Sequence, residues 1–477
     1  MPLRPFEVRL DMVVFIRIPS WWGRRAAHPE NVMSPLDIGY AVALLARHGI
    51  TAEVIDVEAS NVSYERVQEM LRVLRPSQVF LHAITPAVPD ALRLARFAKD
   101  ELPSVRKVVL IGQHATVLPE TVLGPESPID LCLRGEFEQD AERVALGEPP
   151  TSAAFYEDGA FKTVGGTCET EDLDALPFPA HERFRSRRYR VFHPTGVRRR
   201  WRWGFLMSSR GCPFRCIYCS PTLRNSYGKK YRVRSTQSVI EELALLGSMG
   251  FTIVHFKDDI FTLDKERIAA LCEAMLSRGM RVHWTAQTRP DTVDRELLAL
   301  MARAGCRTLG FGVETGSEPM IERLCKGNRL DDVHNAFQWA REVGIRTVGF
   351  FILGSPGETE EDVAATRALM RRIRPNIIQV SFFTPYPGAP TYDETLSSRF
   401  EMRDFSHYNS LINLSAISDE RLRALQRAFY LDFLTKTGFV RDYVGSEWLP
   451  ALINADQFLP FLKLSGKFLF GRHLTAT

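Results

Sequence analysis

Strand and helix signals alternate in two separate blocks of this chain, and that alternation restricts the fold more than any single motif does. In the first block, Met12–Ile16, Ala52–Val57, Val79–Ala83, Val108–Ile111 and Asp130–Leu133 read as short buried strands. Helical apolar spacing falls between them: Pro35–His48, ended by Gly49; Tyr64–Leu74, stopped before Pro76; and Ala91–Lys99. Such alternation predicts a doubly wound, Rossmann-like (flavodoxin-like) parallel sheet over residues 1–147. Sheets of this kind bind ligands in the crevice at the carboxyl ends of their strands. The loops there carry Ser60, Thr85, Gly112, His114 and Glu136.

The second block covers residues 204–392. Its strand candidates are Gly204–Ser208, Thr252–Phe256, Val282–Ala286, Thr308–Val313, Thr347–Leu353 and Ile377–Phe382, with helices between them and no hairpin signal. Six such units predict a partial (β/α)6 barrel, whose active site forms where the strands end. The class is therefore α/β. Residues 148–203 are punctuated by Pro149-Pro150, Gly165-Gly166 and Pro177-Phe-Pro179 and read as a linker, strongly basic from Arg183 to Arg202. Those arginines suit either a solvated surface or a lid over an anionic group. Residues 393–477 read as a mainly helical region that shapes the substrate pocket.

Composition narrows the class further. With 45% hydrophobic and 25% charged residues among 477, the chain is neither disordered nor a disulfide scaffold. A net charge of +4 does not argue for nucleic acid. No apolar run approaches the ~18 uncharged residues of a membrane span, and Met1–Glu7 lacks a secretory pattern. The expectation is a cytoplasmic enzyme. The tail from Phe458 to Arg472 mixes apolar and basic residues; it packs on the barrel or touches a membrane surface.

Five of eight cysteines are scattered; Cys212, Cys216 and Cys219 are not. They form C-x3-C-x2-C directly after the first barrel strand. Three thiolates at this spacing can ligate three irons of a [4Fe–4S] cube and leave the fourth iron open. Structural zinc is the alternative, but it wants four closed ligands, usually two paired cysteine motifs, and no second pair is present.

That motif, with Tyr218 just before the last cysteine, resembles the radical S-adenosylmethionine (SAM) superfamily. The resemblance implies a cluster whose open iron is chelated by SAM, which is then cleaved reductively to a hydrogen-abstracting 5′-deoxyadenosyl radical. It requires an external one-electron reductant of flavodoxin or ferredoxin type. The later strand ends fit the same resemblance: Asp258 and Glu314 as acceptors for the SAM amine or ribose, Arg289 for its carboxylate, Ser317 beside them, and Gly354, Pro356, Gly357, Glu358 and Thr359 as the adenine-side loop.

The upstream domain narrows the resemblance to cobalamin-dependent radical SAM enzymes, with Ser60, Thr85, Gly112, His114 and Glu136 toward the corrinoid. The cobalt-ligating D-x-H-x-x-G motif is absent, which implies a histidine-free cobalt; His28, His82 and His114 read as ordinary loop or core residues. The implied activity is methylation of an unactivated carbon in a small-molecule substrate through methylcobalamin. Two alternatives stay open: a non-methylating cyclase or ring-rearranging enzyme on a tetrapyrrole- or lipid-type substrate, and an iron–sulfur RNA-modifying enzyme. No nucleic-acid partner is expected, since the C-terminal region shows no dense basic face with interleaved aromatics.

Overall fold

The computed structural model describes residues 12–20, 22, 32–191, 201–219, 228–405 and 412–436. Two compact units divide the chain. One comprises residues 1–26, 34–186 and 221–228, the other residues 27–33, 187–220 and 229–477.

The first unit is built on a seven-stranded sheet. Its strands are β1 (Val13–Arg17), β2 (Ala52–Asp56), β3 (Gln78–His82), β4 (Lys107–Ile111), β5 (Leu131–Leu133), β6 (Ala153–Glu157) and β7 (Ala160–Val164), in the order β2-β1-β3-β4-β5-β6-β7. The first five are parallel. Val13–Ile16 are wholly buried, as continuous apolar strands covered on both faces must be. The strand order reverses between β1 and β3, where Arg17 lies in register with His82 at the carboxyl ends. This is the switch point at which such sheets open a crevice.

The stretch read as a linker differs from that expectation. Residues 153–164 form a hairpin that extends the sheet by two antiparallel strands, β6 on β5 and β7 on β6. Asp158 and Gly159 turn it with φ of 53° and 77°. An Asp-Gly pair is the strongest short signal for this turn, because both positions need a left-handed backbone. Farther on, Arg183 lies 3.3 Å from Glu53 on the surface. Arg198, Arg199 and Arg200 fall outside the described residues, as does His28.

The second unit holds β8 (Trp203–Leu206), β9 (Ser209–Arg210), β10 (Arg232–Val233), β11 (Ile253–Phe256), β12 (His283–Thr288), β13 (Cys306–Glu314), β14 (Arg346–Leu353) and β15 (Ile377–Phe382). Six of these make one all-parallel sheet, ordered β15-β14-β13-β12-β11-β8, the open (β/α)6 arrangement. Its helices start at side-chain caps that accept backbone N–H groups: Ser235, Asp264, Asp294 and Thr359. The core packs Phe256, Phe261 and Trp284 within 5.5 Å of one another. Strands β9 and β10 form a two-residue antiparallel pair that brackets the cysteine loop. Beyond the sheet, the helix Asp419–Lys436 seats Phe429 on Phe351 at 5.0 Å. The apolar, basic tail lies outside the described residues. Among those described, no helix is long and apolar enough to cross a membrane.

Candidate active site

The cysteine loop leaves the carboxyl end of β8, and Asp258 secures its root. The Asp258 carboxylate accepts the Ser208 amide at 2.7 Å and the hydroxyls of Ser208 and Ser209 at 2.5 and 2.6 Å. Burial pushes this carboxyl above its usual range. Read from the sequence as a SAM acceptor, Asp258 is instead engaged by the strand that delivers the cysteines.

Cys212 and Cys216 are buried and Cys219 half-buried. Burial raises the thiols of Cys212 and Cys219, so a bound cation is needed to hold them as thiolates. Among the described residues, no three His, Cys, Asp or Glu side chains are spaced to hold a single ion. The donor set is three thiols on one loop, which suits a cube with one open corner better than a closed zinc site.

Arg289, just past β12, packs against this loop. Its guanidinium stacks 3.7 Å over the Phe214 ring, and Nη1 reaches Cys216 Sγ at 3.8 Å. Nε and Nη2 donate to Asp291 at 2.9 and 2.7 Å, and Nη2 also donates to the Lys326 carbonyl at 2.8 Å. The arginine expected to bind a SAM carboxylate is thus tied to the cysteine loop and its neighbours.

Glu314 ends β13 with a φ of 67°, where the pairing with β14 shifts register after Gly312. A left-handed backbone at a non-glycine residue is uncommon and clusters at functional sites. Lys326, 2% exposed, donates to Glu314 Oε1 at 3.1 Å and to the Tyr218 hydroxyl at 3.0 Å. Burial holds the Tyr218 hydroxyl protonated, far above its ordinary range. Sequence reasoning missed Lys326; Cys325-Lys326-Gly327 after a short helix carries no motif.

In the loop after β14, Glu358 Oε2 accepts the amides of Gly354 and Ser355 at 2.5 and 3.3 Å. Burial lifts its carboxyl to about 7. Its other oxygen, Ser355 Oγ and Asn328 Oδ1 are buried polar atoms without partners. Buried polar atoms are normally satisfied; Ser355 and Glu358 lie in the loop after β14, and Asn328 just before the helix Leu330–Glu342. The other predicted loop residues serve the backbone. Arg323 bonds the carbonyls of Pro356 and Gly357. Thr359 caps a helix and shares a capping box with Asp362, which also binds the Ser317 hydroxyl.

In the first unit, His114 is wholly buried, with Nδ1 3.2 Å from Thr85 Oγ1 and Nε2 2.8 Å from Thr121 Oγ1. Burial lowers it to about 4. Both ring nitrogens thus have hydroxyl partners. Glu136, 1% exposed, accepts the Thr170 amide at 2.9 Å, and so pins the chain after the hairpin. Ser60 is exposed and donates to the Asp56 carbonyl at 2.6 Å. Gly112 has a φ of 96°, and a Cβ there would meet the Ala83 carbonyl and the His82 ring at 3.2 Å. Beside it, Gln113 Nε2 is buried without a partner, a donor available to an amide-bearing corrinoid. His82 bonds Asp37 at 3.1 Å at this strand end, a pairing the sequence does not reveal.

Comparison with known proteins agrees with this division. Residues 25–145 match the B12 binding domain, and residues 206–370 match the radical SAM superfamily. The chain is 28% identical over 411 residues to an uncharacterized methyltransferase of Pyrococcus horikoshii, covering 84% of this chain and 87% of the relative. It is 28% identical over 391 residues to the anaerobic magnesium-protoporphyrin IX monomethyl ester cyclase of Cereibacter sphaeroides, covering 79% of this chain and 62% of the cyclase. The fold matches that of the radical SAM methyltransferase TsrM of Kitasatospora setae, solved with cobalamin and a [4Fe–4S] cluster. That match has a TM-score of 0.62 at 18% identity and covers 80% of this chain and 77% of TsrM. A [4Fe–4S] cluster, SAM and cobalamin are the cofactors of this architecture. With a B12-binding domain ahead of a radical SAM domain, the chain belongs to the cobalamin-dependent radical SAM enzymes.

Proposed function

We propose that this chain methylates an unactivated carbon of a small-molecule substrate. The observation that carries the reading is the thiol loop of Cys212, Cys216 and Cys219 at the end of β8, with Arg289 Nη1 3.8 Å from Cys216 Sγ. When bound, the reduced cluster and SAM supply a carbon radical that removes hydrogen, and the corrinoid supplies a methyl carrier. The three cysteines hold the cluster, and Arg289 donates toward Cys216. Tyr218, Glu314 and the Gly354–Thr359 loop receive SAM, with Ser317 and Asp258 supporting them. Gly112 and Gln113 face the corrinoid; Ser60, Thr85, His114 and Glu136 shape the loops around it. An external one-electron donor completes the requirement.

Anaerobic reconstitution with iron and sulfide, followed by SAM and reductant, tests this reading. 5′-Deoxyadenosine should form, and labelled methyl from SAM should appear on added cobalamin. Cys216→Ala should abolish cluster absorbance and cleavage. Cleavage that survives this change sinks the assignment.

A second reading, ring formation without methyl transfer, is supported by the equal identity to the ester cyclase. Product mass separates the two: methylation adds one CH2, whereas cyclisation removes hydrogens or adds oxygen.

A further inference from the structure

A cleft of about 720 Å³ opens at the amino ends of β8, β11 and β12, whereas the cysteine loop leaves the carboxyl end of β8. Its walls are apolar: Trp201 before β8, Leu243 on the helix Thr236–Ser248, Phe251 before β11, and Met280 and Val282 before β12. Clefts that take small molecules span roughly 300–1,000 Å³. Barrels of this kind react at the carboxyl ends of their strands and use the amino face for stability. The methyl transfer proposed above therefore has no use for an open apolar cleft here, and exposed apolar surface of this size marks a binding site.

Gly247 lines the same cleft, three residues after Ala244 on the helix Thr236–Ser248. A Cβ at Gly247 would meet nothing within 4 Å, and its backbone is not left-handed. Neither packing nor conformation calls for glycine, which weakens a helix relative to alanine. Its effect is to keep that wall of the cleft low. The charge around the cleft has one sign. Arg281 lines it and is exposed. The Arg202 guanidinium lies 5.8 Å over the Phe251 ring. Arg307 Nε donates at 2.9 Å to Nδ1 of His283, a lining residue set edge-on to Trp201 at 5.2 Å. Among the described residues, none of these three arginines has a carboxylate partner, and no lining side chain is acidic.

We propose that this cleft is a binding site for a small amphipathic anion. The apolar chain of the ligand lies along Trp201, Met280 and Gly247, and its carboxylate or phosphate head meets the guanidinium groups of Arg281, Arg202 and Arg307. A guanidinium suits either head, because it donates to two oxygens at once. The apolar tail of this chain carries the wrong charge for the occupant: it holds Lys463, Lys467 and Arg472, with no acidic residue after Asp456.

Calorimetric titration of the full-length protein with laurate, lauryl phosphate, lauryl alcohol and lauryltrimethylammonium, below micelle-forming concentrations, tests this. At least one of the two anions should bind at a single site per chain, and the tighter of them identifies the head group. The alcohol should bind about tenfold more weakly and the ammonium more weakly still. Added salt should weaken the anions and leave the alcohol unchanged. Gly247→Leu, which the open space accommodates, should abolish binding while thermal unfolding stays at the wild-type value. Arg281→Gln, a surface change, should weaken the anions roughly fivefold. Equal binding of alcohol and anion, tighter binding of the ammonium, or no binding of either anion would each overturn the proposal. So would anion binding that neither Gly247→Leu nor Arg281→Gln reduces.

Discussion

Arg289 lies with Nη1 3.8 Å from Cys216 Sγ, held there by Asp291 and by stacking on Phe214. A cationic donor at a cluster thiolate stabilises the more negative, reduced state. Arg289→Gln should therefore lower the cluster's midpoint potential, on the order of 50 mV for the loss of one charge-assisted bond. An EPR-monitored redox titration measures this, and an unmoved potential would show that the arginine only packs.

Asp258 joins three donors at the root of the cysteine loop. Asp258→Ala leaves all three without their acceptor in a buried place. The expected loss is about 3 kcal/mol of stability, with lower iron content per chain after reconstitution. Denaturant unfolding and iron analysis give the two readouts. Full iron loading with unchanged stability would refute the clamp.

The Glu358 carboxyl, lifted to about 7 by burial, binds its proton more tightly folded than unfolded. Between its ordinary value near 4.5 and about 7, the folded state holds the extra proton, so rising pH costs stability across that window. Relative to wild type, Glu358→Gln should gain stability from pH 5 to pH 8, by up to about 3 kcal/mol. Melting curves of both proteins across this range decide it; parallel profiles would mean the carboxyl titrates normally.

His114 carries the opposite sign. Its folded value, about 4, lies below the ordinary 6.5, so its contribution to stability is present above 6.5 and is lost as pH falls toward 4. His114→Gln should flatten that acid limb. The EPR spectrum of cob(II)alamin bound to the protein should be the same in wild type and variant, because both ring nitrogens already have hydroxyl partners. A histidine-nitrogen splitting that disappears in the variant would contradict this.

The alternation of strand and helix was legible because parallel strands covered on both faces must be continuously apolar, and helices that cover them must be amphipathic. The cysteine triad was legible because its chemistry depends on spacing within one loop. The hairpin at Asp158-Gly159 was not read, because the surrounding Pro and Gly residues marked the stretch as a linker. The partner of each carboxylate was not legible. Asp258, Glu314, Glu136 and Glu358 look alike in the sequence, and each could have faced a ligand. Long-range packing decided that Asp258 clamps Ser208, that Glu136 pins Thr170, and that Glu314 meets Lys326, 12 residues along the chain and beyond a helix. Sequence alone determined the parallel strands of the two sheets and the thiols, since these follow from local periodicity and spacing. Only the tertiary structure decided which polar groups satisfy one another and which stay open to a ligand, because hydrogen-bond pairing is a property of distances in space.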